Sequence, residues 1–335
     1  MRKFSIIIGV AVALFAASSL HADEFSKVGT SGAQFLKIGV GARYTAMGEA
    51  SVANVSDAYA LYWNPAALGG MTQSHLEFTT ISYVSNVNLN YVAFAKPLSF
   101  GTIGAAVTAL TSGDMEITTI EEPNGTGKMF STSSYAITLG YARQWTEFFS
   151  FGMSAKYITE RISEVRASGI AFDFGTLLRP GYRNLRIGMN ISNLGQEMKF
   201  SGPELNFNYN PSGDNESVDN AKGVLDVDSY DLPLVFRIGA AYDIQYSPST
   251  RLTFSVEARD PSDNEQQGSF GAEAAFQETF FVRGGWQLNQ EEQSATVGAG
   301  LALKVWNSTD LSLNYAFADF GRLNSVHRFS FGLRF

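Results

Sequence analysis

Catalysis by this chain would need a nucleophile, a base and a group to orient the base. The 335 residues include no Cys, which excludes disulfides, thiolate metal sites and cysteine nucleophiles. Of three histidines, His21 falls in a segment expected to be removed, leaving His75 and His327. His327 lies two residues from Ser325, a spacing that puts both side chains on one face of a strand. No carboxylate stands at a spacing that would orient either imidazole. The sequence reads as that of a non-enzyme with no catalytic, cofactor or metal set.

The charged residues suggest structure before chemistry. Lys96, Lys156, Asp173, Arg186, Arg237, Glu257, Arg259, Glu273, Arg283 and Arg334 sit on what reads as the polar face of alternating segments. They could line a polar pathway or anchor another segment, but internal ion pairing explains them as well. A second group, Glu204, Asp214, Glu216, Asp219, Asp226, Asp228 and Asp231, shares one long loop with a single lysine, Lys222. Such a loop could meet a partner or bridge through a divalent cation, but its spacing matches no calcium loop, and a solvated loop would look the same. The formal net charge is −8, which argues against nucleic acid as a partner.

The N-terminus indicates where the chain goes. Arg2 and Lys3 precede an apolar stretch, residues 4–17, and a small-residue region ends in Ala22. This is the pattern of a secretory signal peptide cleaved near Ala22. The apolar stretch is shorter than the ~20 residues of a spanning helix. Loss of residues 1–22 removes Arg2 and Lys3 and leaves a net charge of −10.

From His75 onward, apolar and polar residues alternate with the period of a strand. Leu185, Ile187, Met189 and Ile191 oppose Arg186, Gly188, Asn190 and Ser192, and Leu252, Phe254, Val256 and Ala258 oppose Thr253, Ser255, Glu257 and Arg259. Fourteen such segments are expected, at 75–84, 87–97, 101–111, 132–143, 148–160, 167–178, 185–194, 232–242, 250–260, 268–276, 280–287, 295–304, 310–318 and 325–335. The even-numbered connections are short, and the third and seventh are long, which is the loop pattern of an outer-membrane barrel. An even count places both chain ends on the periplasmic side.

A soluble sandwich or propeller also alternates, but three features favour the barrel. The non-apolar face is rich in Gly, Ser, Thr and Asn. Tyr83, Trp145, Phe148, Phe149, Tyr157, Phe276, Phe280, Trp286, Trp306 and Phe320 lie near strand ends, as interface girdles do. The chain also finishes with Phe329, Phe331, Leu333 and Phe335 on one face, like a barrel assembly signal. The fold class is therefore all-β, a transmembrane antiparallel β-barrel of 14 strands. Its lumen is too wide for wall side chains alone to fill.

Residues 31–71 do not alternate. They are rich in Ala and Gly and carry Gly39-x-Gly41-Ala42-Arg43-x-x-Ala46-Met47-Gly48, then Tyr62-Trp63-Asn64-Pro65-Ala66. This pattern resembles the N-terminal signature of the PorV/PorQ family, within the superfamily of long-chain fatty-acid-transporter-like outer-membrane barrels. The resemblance implies an N-terminal hatch inside a fourteen-stranded barrel, with Asn64, Pro65 and Ala66 where the hatch hands over to the first strand. It implies a division into signal peptide (1–22), hatch (23–73) and barrel (74–335). It also implies a role in type IX secretion, with secreted cargo C-terminal domains as partners. The superfamily's other members imply an alternative, a diffusion channel for hydrophobic small molecules, which requires an apolar cavity beside the hatch and a gap in the wall near the third strand.

Overall fold

The computed structural model describes residues 28–83, 87–182, 184–209, 221–289, 295–306, 309–323 and 325–335. The signal-peptide residues, and Asp214, Glu216 and Asp219 of the acidic loop, lie outside them. Among the described residues, fourteen antiparallel strands close into one barrel.

In chain order the strands are β1 (His75–Ser82), β2 (Asn88–Leu98), β3 (Gly101–Thr111), β4 (Met115–Glu116), β5 (Met129–Phe130), β6 (Thr132–Gln144), β7 (Phe149–Ile162), β8 (Val165–Leu178) and β9 (Leu185–Gly195). They continue with β10 (Asn206–Tyr209), β11 (Ala221–Val224), β12 (Val235–Ser247), β13 (Thr250–Pro261), β14 (Gln267–Phe276), β15 (Phe280–Leu288), β16 (Ala295–Trp306), β17 (Thr309–Asp319) and β18 (Ser325–Arg334). The pairs β4–β5 and β10–β11 are small hairpins within the two long loops, which the sequence pattern did not reveal. The other fourteen strands form the wall. It closes where β1 meets β18, in register from His75 opposite Arg334 to Ser82 opposite His327. Ser74 and Phe335 extend this seam by two backbone hydrogen bonds.

The wall is inside out relative to a soluble core. Outward-pointing residues are large and apolar yet exposed, among them Phe94, Val107, Leu139, Met153, Phe254 and Phe329. Inward-pointing residues are polar yet buried, among them Ser154, Lys156, Asp173, Arg237, Glu257, Glu273 and Arg283. Only lipid makes such an arrangement favourable, since apolar side chains then face hydrocarbon and all backbone groups pair within the closed sheet. This is an outer-membrane β-barrel. The terminal Phe329, Phe331 and Phe335 are all exposed, and Leu333 lies on the same outward face.

Three expectations about facing change. Lys96 points outward with Val92 and Phe94, not into the lumen. It sits two residues from the end of β2, where a long amphipathic side chain can carry its ammonium to the headgroup region. Tyr83 and Phe320 stack edge to face, 5.7 Å apart, on the lumen side rather than in a girdle. They lie at the rim, where the lumen wall needs apolar surface as much as the interface does. Trp145, Phe148, Tyr157, Phe276, Phe280 and Trp286 are exposed, as a girdle requires. The side chain of Trp306 is outside the described set.

The chain ends also differ from expectation. Both ends of the barrel, Ser74 and Phe335, do share one rim. The segment before the barrel starts at the other rim, where Gly29 N–H donates to Asp263 O and Gly32 N–H donates to Asp231 O. An even strand count fixes only the ends of the sheet. Residues 29–74 are free to run the length of the lumen, and they do.

The wall can be tested by charge placement. Val107→Arg puts a cation on the mid-wall lipid face and should cost about 2–4 kcal/mol in a urea titration of the protein in lipid vesicles. Lys96→Met, at a strand end, should change stability by less than about 0.5 kcal/mol in the same assay.

Candidate functional site

The inner segment is short turns joined by extended pieces. It comprises 3₁₀ turns at Gln34–Lys37 and Pro65–Gly70 and single helical turns at Ala42–Thr45 and Ala60–Trp63. None is long enough to be stable alone, so the barrel holds them. Small residues let the backbone approach the wall closely. Ala42, Ala46, Met47, Trp63, Asn64 and Ala66 are each fully buried.

Asn64 is the main fastening point. Its side-chain Oδ1 accepts from Ala66 N–H at 3.1 Å and so caps the turn that Pro65 opens. Its Nδ2 donates to Val52 O at 2.8 Å and to Thr176 O of β8 at 3.0 Å. Three polar atoms around one buried side chain are thereby satisfied. Gly175 of β8 faces Asn64, and any side chain there would collide with its Oδ1. Gly48 is the second fastening point. It adopts φ +65°, which favours glycine. Its N–H donates to Thr296 Oγ1 at 3.0 Å, and its carbonyl accepts from Gln287 Nε2 at 3.0 Å.

Ionised groups complete the attachment. The Ser51 and Val52 N–H groups both donate to Glu257 Oε2 of β13, at 2.7 and 2.8 Å. Arg43 pairs with Glu273 of β14 at 3.3 Å, and Arg259 of β13 reaches Glu49 at 3.1 Å. Lys156 pairs with Asp173 at 2.8 Å, and Arg283 with Glu273 at 2.6 Å. Arg186 donates to Asp243 at 2.9 Å and to Asn54 at 3.3 Å. Arg334 pairs with Asp310 at the mouth. Apart from Lys96, the charged residues expected in the lumen are there. They hold the inner segment or pair within the wall.

Apolar contact is concentrated beneath β1–β3. Tyr44, Tyr59, Leu61, Trp63 and Leu68 pack with Ile81, Leu89 and Tyr91 of the wall. Trp63 Nε1–H donates to Val40 O at 3.0 Å, and Tyr59 O–H donates to Phe78 O at 3.0 Å. Gly39, Gly41 and Pro65 lie within this packed segment.

The segment divides the lumen into two vestibules. One, of about 690 Å³, lies at the barrel-end rim and is bordered by Asp57, His75, Glu77, Arg251, Lys304 and Arg334. The other, of about 490 Å³, lies at the opposite rim and is bordered by Lys37, Glu49, Tyr83, Arg237, Phe320 and Arg328. Arg328 is a lumen residue that the sequence reading missed, although it alternates in step with Arg334.

The histidines are apart. His75 Nδ1 is 3.7 Å from Glu77 in the first vestibule. His327 points outward, 2.8 Å from the Tyr315 hydroxyl and 3.3 Å from Ser325 Oγ. Ser325 and His327 do share a face, but it is the lipid face, and among the described residues no carboxylate pairs with the imidazole.

The described acids of the long loop do not converge. Asp226 pairs with Lys199 at 2.7 Å, and that hydrogen bond and charge hold its carboxyl below the usual range. Glu204 accepts from Ser163 at 2.6 Å, and Asp228 is exposed. Asp231 contributes through its backbone, which bridges to Ser31 and accepts from Gly32. The rim anchor is instead Asp263, absent from the sequence reading. It accepts from Lys37 Nζ at 2.8 Å, from Gln34 Nε2 at 2.6 Å and from Ser31 Oγ. Burial alone would raise its pKa, but these partners outweigh burial and hold it below the ordinary value. Glu160 adds a bond from Ala33 N–H at 3.2 Å.

Two outcomes follow. Asn64→Ala should destabilise the protein by about 2–4 kcal/mol in urea titration, from the lost cap and the orphaned carbonyls. Asn64→Asp should not rescue it, because a carboxylate cannot donate. The Asp263 anchor has a depressed folded pKa, so its stabilisation is complete above the ordinary carboxylate pKa of about 3.9 and is lost as pH falls through the folded value. Hydrogen exchange of residues 31–37 should therefore accelerate in acid, and Asp263→Asn should remove that pH dependence.

Residues 21–178 match the family model described as type IX secretion system protein PorV. The comparison with curated proteins gives no match. Among solved structures, the chain is similar to the P. putida toluene transporter TodX, with TM-score 0.59 and 12% identity over 88% of this chain and 96% of that one. It is similar to the CymD monoaromatic hydrocarbon channel, with TM-score 0.56 and 13% identity over 89% and 97%. It is also similar to a Pseudomonas aeruginosa FadL homologue, with TM-score 0.51 and 10% identity over 88% and 98%. The barrel fold is thus that of the FadL-like proteins, and the resemblance to PorV extends from the inner segment through β8.

Proposed function

We propose that this chain is an outer-membrane component of type IX protein secretion, binding the C-terminal signal domains of secreted cargo and passing them toward surface attachment. The observation that carries this reading is the PorV family match over residues 21–178, which spans the inner segment and the first wall strands. In this reading residues 1–22 are a signal peptide, residues 23–73 a hatch and residues 74–335 the barrel. The hatch closes the lumen, so cargo is engaged at the barrel's rim and loops rather than conducted through it. In this reading the residues from Gly39 to Gly48 and from Trp63 to Ala66 serve to seat the hatch, and those from Phe329 to Phe335 serve assembly. The loop carrying Asp226, Asp228 and Asp231 is a candidate contact for partners. No residue is assigned a catalytic role.

The second reading is a channel for hydrophobic small molecules, supported by the names of the structural neighbours. That reading expects a wall gap near β3. The ladder there is continuous, with β3 paired to β2 from Asn88 opposite Thr111 to Leu98 opposite Gly101, and to β6 over residues 102–111. Both vestibules are bordered by charged side chains. These features favour secretion over conduction.

The test is affinity purification of the tagged protein from native outer membranes. Cargo bearing C-terminal signal domains should co-purify, and wild-type proteoliposomes should not accelerate uptake of toluene. Toluene uptake without cargo retention would reverse the order of the two readings.

A further inference from the structure

Three buried polar side chains meet where the wall strands β7, β8 and β9 run side by side. Asp173 of β8 is 0% exposed, Asn193 of β9 is 3% exposed and Lys156 of β7 is 6% exposed. A bulge brings them together. Phe172 lies opposite Leu194 and Phe174 opposite Ile191, so Asp173 alone faces both Ser192 and Asn193. A regular strand would send one of those two side chains to lipid, but here both are buried. Asn193 takes φ +63°, a left-handed conformation that asparagine adopts more readily than most residues.

The contacts among the three are specific. Lys156 Nζ is 2.8 Å from Asp173 Oδ2 and donates to Asn193 Oδ1, also at 2.8 Å. A C=O bond is about 1.2 Å long, so Nζ lies within about 4 Å of Asn193 Cγ. That is close to the roughly 3–3.5 Å of a reactive approach. The other atoms are held as well. Asn193 Nδ2 donates to Pro233 O at 3.0 Å, and the Asn193 N–H donates to Asp173 Oδ1 at 2.8 Å. The Ser154 hydroxyl donates to Asp173 Oδ2 at 2.9 Å. Asp173 therefore touches both the amine and the residue whose carboxamide the amine approaches.

An ion pair alone does not need a carboxamide seated on the amine. An amine, a carboxamide and a carboxyl group in contact and shielded from water are the components of an amide exchange. Proton transfer from Nζ to Asp173 Oδ2 removes both charges together, which a dry site favours more than water does. The Nζ lone pair then attacks Asn193 Cγ and forms an Nζ–Cγ bond. Asp173 gives its proton to Nδ2 and takes a second one from Nζ. The Cγ–Nδ2 bond breaks and ammonia leaves. The ammonia takes up the proton now on Asp173, which restores the carboxylate and leaves the total charge unchanged. No oxidant or other co-reactant is required.

We propose that Lys156 and Asn193 join in an isopeptide bond, with Asp173 as the catalytic acid and base. The arrangement described is that of the reactants. The bond ties β7 to β9 across β8 and fixes the bulge just before the long loop at 196–231. Ladder hydrogen bonds open and close, whereas an amide does not, so this sector of the wall stays joined when its strands fray. The modification is separate from the question of secretion or conduction, because it depends only on these three side chains.

The experiment is tryptic peptide mass spectrometry on the full-length protein, purified folded from outer membranes and denatured just before digestion. Trypsin cannot cut after an acylated lysine. The expected product is a branched peptide in which residues 144–161 are joined at Lys156 to residues 187–199 at Asn193, lighter than the two together by one ammonia. Fragmentation should place the branch on those two residues. Lys156→Arg should abolish the branched peptide while the variant keeps its heat-modifiable gel migration. After refolding from urea into detergent, Asp173→Asn should form it about a hundredfold more slowly than wild type, the loss expected for a missing acid–base group. A purely structural Asp173 would leave that rate unchanged, and an unchanged rate overturns its assignment. Full recovery of the linear peptides 144–156 and 187–199 from the folded wild-type protein overturns the proposal. That measurement needs no variant, so the proposal remains refutable if Lys156→Arg or Asp173→Asn fails to assemble.

Discussion

The structure depends on one requirement: no backbone N–H or C=O can be left unpaired in hydrocarbon. It makes the sheet close, and the seam between β1 and β18 is where that closure is completed. Closure with fourteen strands then creates a second problem, because the lumen is wider than wall side chains can fill. The inner segment solves it by bringing its own backbone to the wall. Its free N–H and C=O groups are met by Glu257, Thr296, Gln287 and Ser330 of the wall. The inward polar residues of the barrel are therefore partners for a second backbone, as well as for one another.

How far the sequence carries this picture depends on the kind of information involved. The wall is legible because alternation is a local signal repeated in every strand. Each of the fourteen segments coincides with a strand to within a few residues. Facing is legible in strand interiors and fails at the ends. Lys96 follows its own strand's alternation outward, and Tyr83 and Phe320 face in where an aromatic residue near a rim suggests a girdle. The small hairpins β4–β5 and β10–β11 escaped because two to four residues are too few to show a period.

The candidate sites were less legible, since they depend on contacts between distant parts of the chain. Asp263 anchors the start of the inner segment across more than two hundred residues, and nothing local distinguishes it from other loop acids. Arg328 alternates correctly, but its place beside Glu49 and Phe320 on the lumen vestibule can be seen only once β18 and the inner segment are in place. Asn64 is the contrary case. Asn-Pro signals a turn locally, and the turn it caps is the one observed.

The inner segment passes from one rim to the other, and this bears on the order of assembly. The Ala42 N–H group is bonded to Ser330, 288 residues later, and Ser51 to Glu257, 206 residues later. The first part synthesised is thus fastened by the last. A cylinder sealed first would have to be threaded by a strand of chain carrying Tyr44, Tyr59 and Trp63. An open curved sheet could instead wrap around the segment and then zip at β1 and β18. Such long sequence separations also mark a high contact order, which slows folding. The seam is therefore a closing latch as well as a piece of wall, and once shut it makes the enclosed segment a captive of its own barrel.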